Sequence, residues 1–472
     1  MPSSLEGVDS FVSRSRKLVW SISLFAILFL NCRKVVEDNR LLLALLVLRA
    51  QSSTTTTPPS SSKEIQTFSL GYDGNTYSST SITSTAIRVS VPLLIPINSL
   101  TLNFTTNGRT VSVDGSAVSS GTSTIDLTSF TKTIVVTAED ASTRGYTLTL
   151  TRRFPDTAQT TCYSPTNLTG TTISCSGAGQ DGSVTDFPSA NGFASPNSNG
   201  VYFNSSLGIY YRSCILGQSG TSTCTGTATD FSGIGITGVD SACANLNSSS
   251  FGGRTDWRLP TILELQYLGP IVPSQYLTGP LNWFVSSTVD PNNTTRRMMY
   301  ESIRTLSSCP TTPGTCFTNW NQIRVVCVAG TNSFTPNWLD NNNNTITERS
   351  TGLIFQKCAF GRTFPGCTGT PSGLSWQAAM ANCANLSLAG RVWRLPNANE
   401  LRLVNDVTNA TGANSVFSDI AINSDQYFTS TPTVDGSNNM NIVIMKNNNS
   451  FNILDQAPSP TNPTYARCVT GP

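Results

Sequence analysis

The sequence predicts a mainly β protein with short helices, an α+β fold that combines an N-terminal β-sandwich with two tandem disulfide-stapled repeats. Three observations support this prediction. Short runs that alternate apolar and polar residues recur between residues 64 and 153. The pattern W-R-L-P-x-x-x-E-L begins at Trp257 and again at Trp393, which indicates an internal duplication. All 13 cysteines except Cys32 follow residue 160, and their spacings also repeat.

Residues 1–31 have the pattern of a lipoprotein signal peptide. A basic stretch that includes Arg14 and Arg16 precedes the apolar run Leu18–Leu30, which is shorter than the roughly 20 residues that span a bilayer. The run ends with Leu-Phe-Leu-Asn before Cys32, and this ending resembles the relaxed lipobox of spirochaetal lipoproteins. The resemblance implies that Cys32 is lipidated and anchors the chain in the outer membrane. An ordinary secretory signal is the alternative.

The next segments lead to the first folded module. Residues 32–63 contain the apolar run Leu41–Leu48, which has no assigned role, and a tether rich in Ser, Thr and Pro. Residues 64–153 form the predicted sandwich, whose last two strands are joined in a hairpin by a polar loop. Its ending, V-T-A-E-D to Y-T-L-T-L-T, resembles bacterial cadherin-like or Ig-like surface modules, which implies a spacer. Residues 154–195 are expected to be a linker stiffened by a Cys162–Cys175 pair.

Two repeats follow, at residues 196–330 and 331–472. In each, the W-R-L-P pattern predicts an extended entry with a buried Trp, then a turn and a short helix. Thr261 and Asn397 are good N-caps, and a Glu follows each at the spacing of a capping box. The Arg beside each Trp is expected to bond local carbonyls or that Glu, with ligand contact as the alternative. The motif residues are Trp257, Arg258, Pro260, Glu264, Trp393, Arg394, Pro396 and Glu400.

An even set of cysteines after an export signal indicates a disulfide framework. The repeat suggests two long-range bridges that tie a helix to the last strand, Cys243–Cys327 and Cys383–Cys468. Buried free thiols or a metal site are the alternatives, although the chain contains no C-x-x-C pair. The remaining pairs would close short loops: Cys162–Cys175, Cys214–Cys224, Cys309–Cys316 and Cys358–Cys367.

Composition narrows the classes of function. The absence of histidine removes His-based acid–base catalysis, Ser-His-Asp and Cys-His nucleophiles and His metal ligands. The net charge of +2 gives no reason to propose nucleic acid. The run Asp340–Asn344 offers oxygen ligands for calcium, but the EF-hand spacing is absent and a plain loop is preferred. We expect no catalytic residue, no metal and no cofactor.

About residues 160–472, some two-thirds of the chain, resemble the C-terminal domain of the Legionella collagen-like protein. The resemblance is carried by Thr-x-Cys-Tyr ending at Tyr163, Gly-Gln-Asp-Gly at 179–182, Gly-Leu-Ile at 352–354, and the two WRLP turns. The unit also resembles a C-type-lectin-like fold, in which a W-x-x-A-x-x-x-C helix, here Trp376 to Cys383, is bridged to the last strand. These resemblances imply surface binding, with sulfated glycosaminoglycans as a ligand class.

The sequence therefore predicts a lipid-anchored, surface-exposed protein that binds host glycans or matrix proteins and is not an enzyme. Recognition is expected in loops at 268–320 and 404–465, because loops on a rigid scaffold commonly carry binding residues. One alternative is an enzyme of the formylglycine-generating, sulfatase-modifying kind, which shares an R-L-P-T-x-x-E turn; another is a structural envelope protein without a ligand. The oligomeric state is not predicted. Buried packing is an equal alternative for each aromatic candidate, and a solvated face is preferred for the two arginines. The candidate contacts are Trp283, Phe284, Arg296, Arg297, Trp320, Phe417 and Tyr427.

Overall fold

The computed structural model divides the chain into two units, residues 1–61 and 62–472. The predicted signal peptide, Cys32 and the run Leu41–Leu48 lie outside the described residues. Within the described residues, no helix is long and apolar enough to cross a membrane. The structure describes residues 58–157, 159–166, 170–184, 197–221, 223–231, 236–268, 283–290, 293–301, 306–310, 323–331, 334–404, 416–420, 426–434, 440–446, 453–456 and 463–471.

Strands fill the segment in which the sandwich is predicted. They are β1 Ile65–Tyr72, β2 Asn75–Ile82, β3 Ala86–Pro92, β4 Leu100–Thr106, β5 Thr110–Val113, β6 Ser116–Val118, β7 Thr124–Ile125, β8 Thr131–Thr137 and β9 Thr143–Arg153. Their order is β6-β5-β8-β9-β3-β2-β1-β4-β7. The predicted hairpin is formed by β8 and β9, which pair antiparallel, whereas β3 runs parallel to β9.

The alternating sequence pattern builds the core of this module. In β9, Tyr146, Leu148 and Leu150 are buried, and the residues between them are more exposed. Each buried side chain of this size contributes about 1.5–3 kcal/mol relative to an exposed one. These residues join apolar side chains of β3 and β8 in one cluster. The prediction of a mainly β fold is confirmed.

Short strands and helices form the rest of the described chain. β10 (Cys162–Tyr163) pairs with β11 (Thr172–Ile173), and a 3₁₀ turn follows at Asp181–Ser183. The first repeat contains β12 Val201–Asn204, β13 Ile209–Arg212, α1 Ile236–Ser248, a 3₁₀ turn at Phe251–Gly253, β14 Trp257–Arg258, α2 Ile262–Leu268, β15 Trp283–Asp290, β16 Asn293–Glu301, β17 Leu306–Pro310, β18 Ile323–Arg324 and β19 Val328–Ala329. The second contains β20 Trp338–Asp340, β21 Thr345–Glu348, β22 Ile354–Gln356, α3 Trp376–Ala384, α4 Ala398–Val404, β23 Gln426–Val434, β24 Met440–Lys446, β25 Ile453–Gln456 and β26 Val469–Thr470.

Sheets occupy part of the regions predicted to be long polar loops. In the first repeat the strand order is β17-β16-β15-β18, and in the second it is β23-β24-β25. The prediction of loops is therefore wrong where these strands run, whereas residues 416–420 lie in a turn. The reason lies in β15 and β23 themselves, which are rich in β-branched and aromatic residues and fit a pleated, half-buried surface.

One apolar cluster joins the two repeats to the segment that follows β3 of the sandwich. Tyr211 and Phe284 of the first repeat lie in the same cluster as Phe355 and Phe417 of the second, together with Leu93 of the sandwich. A polar contact also crosses the boundary, because the Arg402 side chain donates to the backbone oxygen of Gln266 at 2.7 Å. The repeats therefore pack as one body.

Arg152, at the end of β9, joins the sandwich to the repeats. Its backbone N–H donates to the oxygen of Ser350 at 2.7 Å, and its guanidinium donates to the oxygens of Leu93 and Ile95. Burial lowers the pKa of Arg152 to about 10. The backbone N–H of Leu94 donates to the oxygen of Leu207, so the predicted spacer is itself hydrogen-bonded to both repeats.

Candidate binding site

The first WRLP turn is held by a closed set of polar contacts. Thr261 Oγ1 accepts from the Glu264 N–H at 3.2 Å, and Glu264 Oε2 accepts from the Thr261 N–H at 2.6 Å, which completes the predicted capping box. Arg258 donates to both carboxylate oxygens of Glu264, at 2.8 and 2.6 Å, and to the oxygen of Gly330. The Trp257 ring is buried and donates to the oxygen of Phe251. Both carboxylate oxygens of Glu264 are therefore used in hydrogen bonds within the turn.

The second turn has the same geometry. Asn397 Oδ1 accepts from the Glu400 N–H at 2.8 Å, and Glu400 Oε2 accepts from the Asn397 N–H at 2.9 Å. Arg394 donates to the two oxygens of Glu400 at 2.6 and 2.5 Å, and the buried Trp393 ring donates to the oxygen of Leu388. In both repeats the Arg pairs with the capping Glu, as the sequence predicts, and a ligand contact is not needed to explain it.

A strand packs against each turn in an equivalent way. The oxygen of Pro260 accepts from the Ser287 N–H at 2.7 Å, and the oxygen of Pro396 accepts from the Ser430 N–H at 2.8 Å. The first N–H of each helix donates a hydrogen bond to a threonine hydroxyl. Ile262 donates to Thr288 Oγ1 and Ala398 donates to Thr431 Oγ1, both at 2.9 Å. Thr288 and Thr431 are therefore equivalent positions of β15 and β23.

Disulfides fix the frame around both turns. The predicted long-range bridges are present, and each ties a helix to the end of its repeat. Cys309 lies in β17, whereas Cys316 is outside the described residues, so that pair stays a prediction. The bridges in the structure are Cys162–Cys175, Cys214–Cys224, Cys243–Cys327, Cys358–Cys367 and Cys383–Cys468.

The second repeat also contains a buried ion pair that sequence reasoning missed. Arg467 and Asp419 are both fully buried, and their side chains approach to 2.6 Å. Arg467 also donates to the oxygens of Gln356 and Lys357, and its guanidinium lies 4.7 Å from the centre of the Phe417 ring. In the sequence, Arg467 is marked only by its place beside Cys468 in the run Arg-Cys-Val at 467–469.

Residues 344–470 match the family model of the Lcl C-terminal domain. The resemblance predicted from the sequence is confirmed for these residues, and it indicates a surface or binding-type bacterial domain. The matched segment corresponds to the second repeat. The first repeat lies outside the match; it shares with the second repeat the turn, the threonine contact and the long-range disulfide described above. A comparison with curated proteins found no match.

The segment expected to be a linker packs against the second repeat. We call residues 155–184 the strap. Asn399 of α4 donates its side-chain N–H groups to the oxygens of Pro155 and Asp156 at 3.0 and 3.1 Å. Further along, Asp181 Oδ2 accepts from the hydroxyl of Thr431 at 2.6 Å. The described strap residues are thus part of the second repeat, although the whole first repeat separates them from it in sequence.

Asp181 is the buried carboxylate at the centre of this contact. It is 1% exposed, and Thr157 and Thr431 both donate hydroxyl hydrogen bonds to it. Burial raises the pKa of Asp181 to about 6, while the two threonine hydrogen bonds lower it, nearby Glu400 raises it and Arg394 lowers it. The Gly-Gln-Asp-Gly motif carries the family resemblance, but its sequence does not indicate this partner.

Asp181→Asn is expected to change the pH dependence of stability. The unfolded chain releases the Asp181 proton near its ordinary pKa of 3.8, but the folded chain releases it only near 6. Wild type therefore loses stability from this group as pH rises through that window, by about 3 kcal/mol. The difference in unfolding free energy between wild type and Asp181→Asn, measured by chemical denaturation from pH 4 to pH 7.5, should shift by this amount in favour of the variant.

Asp114 provides a control of opposite sign. A hydrogen bond from Lys132 lowers the pKa of this exposed carboxylate. Stability contributed by Asp114 is present at neutral pH and is lost as pH falls, so Asp114→Asn should favour the variant at acidic pH. A difference for Asp181→Asn that does not change with pH would contradict the assignment.

The predicted aromatic contacts lie in the core. Trp283 is 5% exposed and Tyr427 is fully buried, and Phe284 and Phe417 are buried as well. Trp283 packs in one apolar cluster, and Phe284, Phe417 and Tyr427 pack in another, so these rings do not form an exposed recognition surface in this structure. Of the two alternatives for these residues, ligand contact and buried packing, the structure shows packing. Trp320 lies outside the described residues.

The two predicted arginines lie on β16. Arg296 is opposite Pro310 of β17 in the strand register, and Arg297 is opposite both Cys309 and Val289 of β15. The Arg297 side chain is 22% exposed; it donates to the oxygen of Ser287 and reaches Asp240 of α1 at 3.5 Å. Of the predicted contacts whose side chains the structure describes, Arg297 is the one at the surface.

The Asn-rich run forms a hairpin turn between β20 and β21. Asp340 pairs with Lys357 at 2.6 Å and accepts from the Asn342 N–H. Asn344 Oδ1 accepts from the Cys358 N–H, and Asn343 Oδ1 accepts from the Thr345 hydroxyl. The side-chain oxygens of Asp340, Asn343 and Asn344 are therefore used in contacts within the protein. Within the described residues, no cluster of three metal-ligating side chains occurs.

Proposed function

We propose that the protein is a lipid-anchored, surface-exposed binding protein of the outer membrane that recognises host glycans or matrix proteins and carries out no catalysis. The observation that carries the proposal is the match of the second repeat to the Lcl C-terminal domain, a surface or binding-type domain. The rigid frame supports it, because among the described residues four disulfides and a shared apolar cluster hold the two repeats, and recognition commonly uses residues on such a scaffold.

Charge sets what kind of glycan binding this proposal allows. The sequence of repeat 196–330 has seven Arg and Lys against six acids, and repeat 331–472 has eight against eight. Neither repeat attracts polyanions as a whole, so binding to a sulfated glycan would have to use local clusters such as Arg296 and Arg297.

A binding array tests the proposal. The oxidatively folded unit 62–472 would be applied to immobilised glycans and matrix proteins over a range of salt concentrations. Binding to sulfated glycans that weakens with salt would point to arginine contacts, because salt screens exposed charges. Salt-tolerant binding to a matrix protein would point to a less charged surface. No binding to either class would count against the proposal and favour a structural envelope role.

The enzyme alternative makes a different prediction. A sulfatase-modifying type of reaction needs a reactive cysteine pair, and ten cysteines of the described part of the chain are joined in disulfides. Thiol titration of the native protein therefore separates the two readings. Two reactive thiols in the mature chain would support the enzyme alternative, and the absence of reactive thiols would support a binding protein.

A further inference from the structure

The two repeats differ in one respect around their equivalent threonines. In the second repeat, the strap covers β23, and Ser430 and Thr431 are only 2% and 3% exposed. In the first repeat, the equivalent Ser287 and Thr288 of β15 are half-buried, and the next residue, Val289, is 41% exposed. The surface that the second repeat covers with the strap is thus accessible in the first.

The hydrogen bonds show the same difference. The Thr431 hydroxyl accepts from the Ala398 N–H and donates its own proton to Asp181. The Thr288 hydroxyl accepts from the Ile262 N–H in the same way, but no described residue accepts its proton. A donor that is aimed at a carboxylate in one repeat is left available in the other.

A cation that could bind a carboxylate lies opposite the residue that follows Thr288. Arg297 lies across the strand pair from Val289, and its guanidinium reaches the partly exposed Asp240 only at 3.5 Å. Exposed ion pairs at such distances contribute little, typically about 0–1 kcal/mol, so an incoming carboxylate can compete for this cation. Val289 adds an apolar contact beside it.

We propose that Ser287, Thr288, Val289 and Arg297, which we call the open face, dock an acidic peptide segment of a partner protein. The proposal rests on the binding function inferred above and specifies one partner. A peptide is favoured over a glycan because the occupant of the equivalent surface is polypeptide, held by backbone oxygens of Pro155 and Asp156 and by the Asp181 carboxylate. The carboxylate of the partner accepts from Thr288 and approaches Arg297.

The strap itself supplies the probe for a test. A labelled synthetic peptide with the sequence of residues 155–184, oxidised between its two cysteines, would be titrated against the folded unit 62–472 by fluorescence anisotropy. We expect saturable binding that weakens about tenfold when the peptide carries Asp181→Asn, because a hydrogen bond to a charged group contributes about 1.5–3 kcal/mol. Arg297→Gln in the protein should also weaken binding and reduce its salt dependence.

Thr288 variants separate docking from folding. Thr288→Val removes the donor, and Thr288→Ser retains it; the first should lose about tenfold in affinity and the second should bind as wild type does. Because Thr288 also accepts from the Ile262 N–H, thermal unfolding of each variant checks that α2 remains formed. Thr76→Val, at an exposed position of β2 in the sandwich, is the matched control and should leave binding unchanged.

Failure of the docking proposal can be told from failure of the proposed function. Absence of peptide binding, or equal binding by Thr288→Val, would overturn the open face as a peptide site. If the array then still finds a ligand, the binding function stands and its site lies elsewhere. Displacement of the peptide by heparin with no effect of Asp181→Asn would assign the face to a glycan and overturn the peptide partner.

Discussion

Replacing Cys383 and Cys468 by alanine is expected to lower the free energy of unfolding by about 4–5 kcal/mol. The two cysteines are 85 positions apart, and their disulfide limits the conformational entropy of the unfolded chain over that whole length. Both sulfurs lie in fully buried residues beside Trp376 and Trp393, so loss of the bridge also loosens the contact between α3 and the last strand. Chemical denaturation of the unit 62–472 measures the change.

A short bridge in the same repeat serves as the control. Cys358 and Cys367 are only 9 positions apart, so removing this pair should cost about 3 kcal/mol by the same reasoning. The Cys243–Cys327 bridge spans 84 positions, so its removal should lower the free energy of unfolding about as much as removal of Cys383–Cys468. Equal costs for the long and short bridges would show that strain or local packing, rather than loop length, decides their contribution.

Arg467→Met is expected to lower the free energy of unfolding by about 3–5 kcal/mol. The substitution keeps the volume of the side chain but leaves Asp419 as a charge in a site with no solvent access. It also removes the hydrogen bonds to the oxygens of Gln356 and Lys357 and the contact with the Phe417 ring. Thermal and chemical unfolding of the purified variant would give the value.

The double variant Arg467→Met with Asp419→Asn distinguishes an isolated charge from lost packing. Asn at 419 is neutral and can still accept from the Ala359 N–H, which donates to the carboxylate at 2.8 Å in the wild type. The double variant should therefore recover most of the stability that Arg467→Met loses. Arg391→Met, at an exposed position, should change stability by no more than about 0.5 kcal/mol. If the double variant is as unstable as Arg467→Met, the charge is not the cause.

Features encoded within a few residues could be predicted from the sequence. The capping boxes at Thr261 and Asn397 need only residues at fixed local spacing, and both form as expected. The long-range disulfides are not local, but the duplication identified them because each half supplied the same pattern. The sandwich strands followed from alternation, since a period of two places one set of side chains in the core.

The rest depends on contacts that no local pattern records. Trp283 and Tyr427 fall in segments that the sequence predicts to be loops, whereas the β-branched and aromatic character of β15 and β23 favours strands, and both rings are buried. Asp181 meets Thr431 at a separation of 250 positions, and a single sequence does not reveal such a pair. The open face could be recognised only once the structure showed which of two equivalent threonines is covered.

The position of the strap also sets an order of assembly. Its contacts to Asn399 and Thr431 span 244 and 250 positions, and the whole first repeat lies between the partners. As the chain emerges from the ribosome, the first repeat has all its own disulfide partners before the second repeat exists, whereas the strap must wait for residues that come much later. Contacts of such long separation form slowly because the intervening chain must first be closed into a loop. The second repeat is therefore the last part to mature, and its completion depends on a segment made long before it.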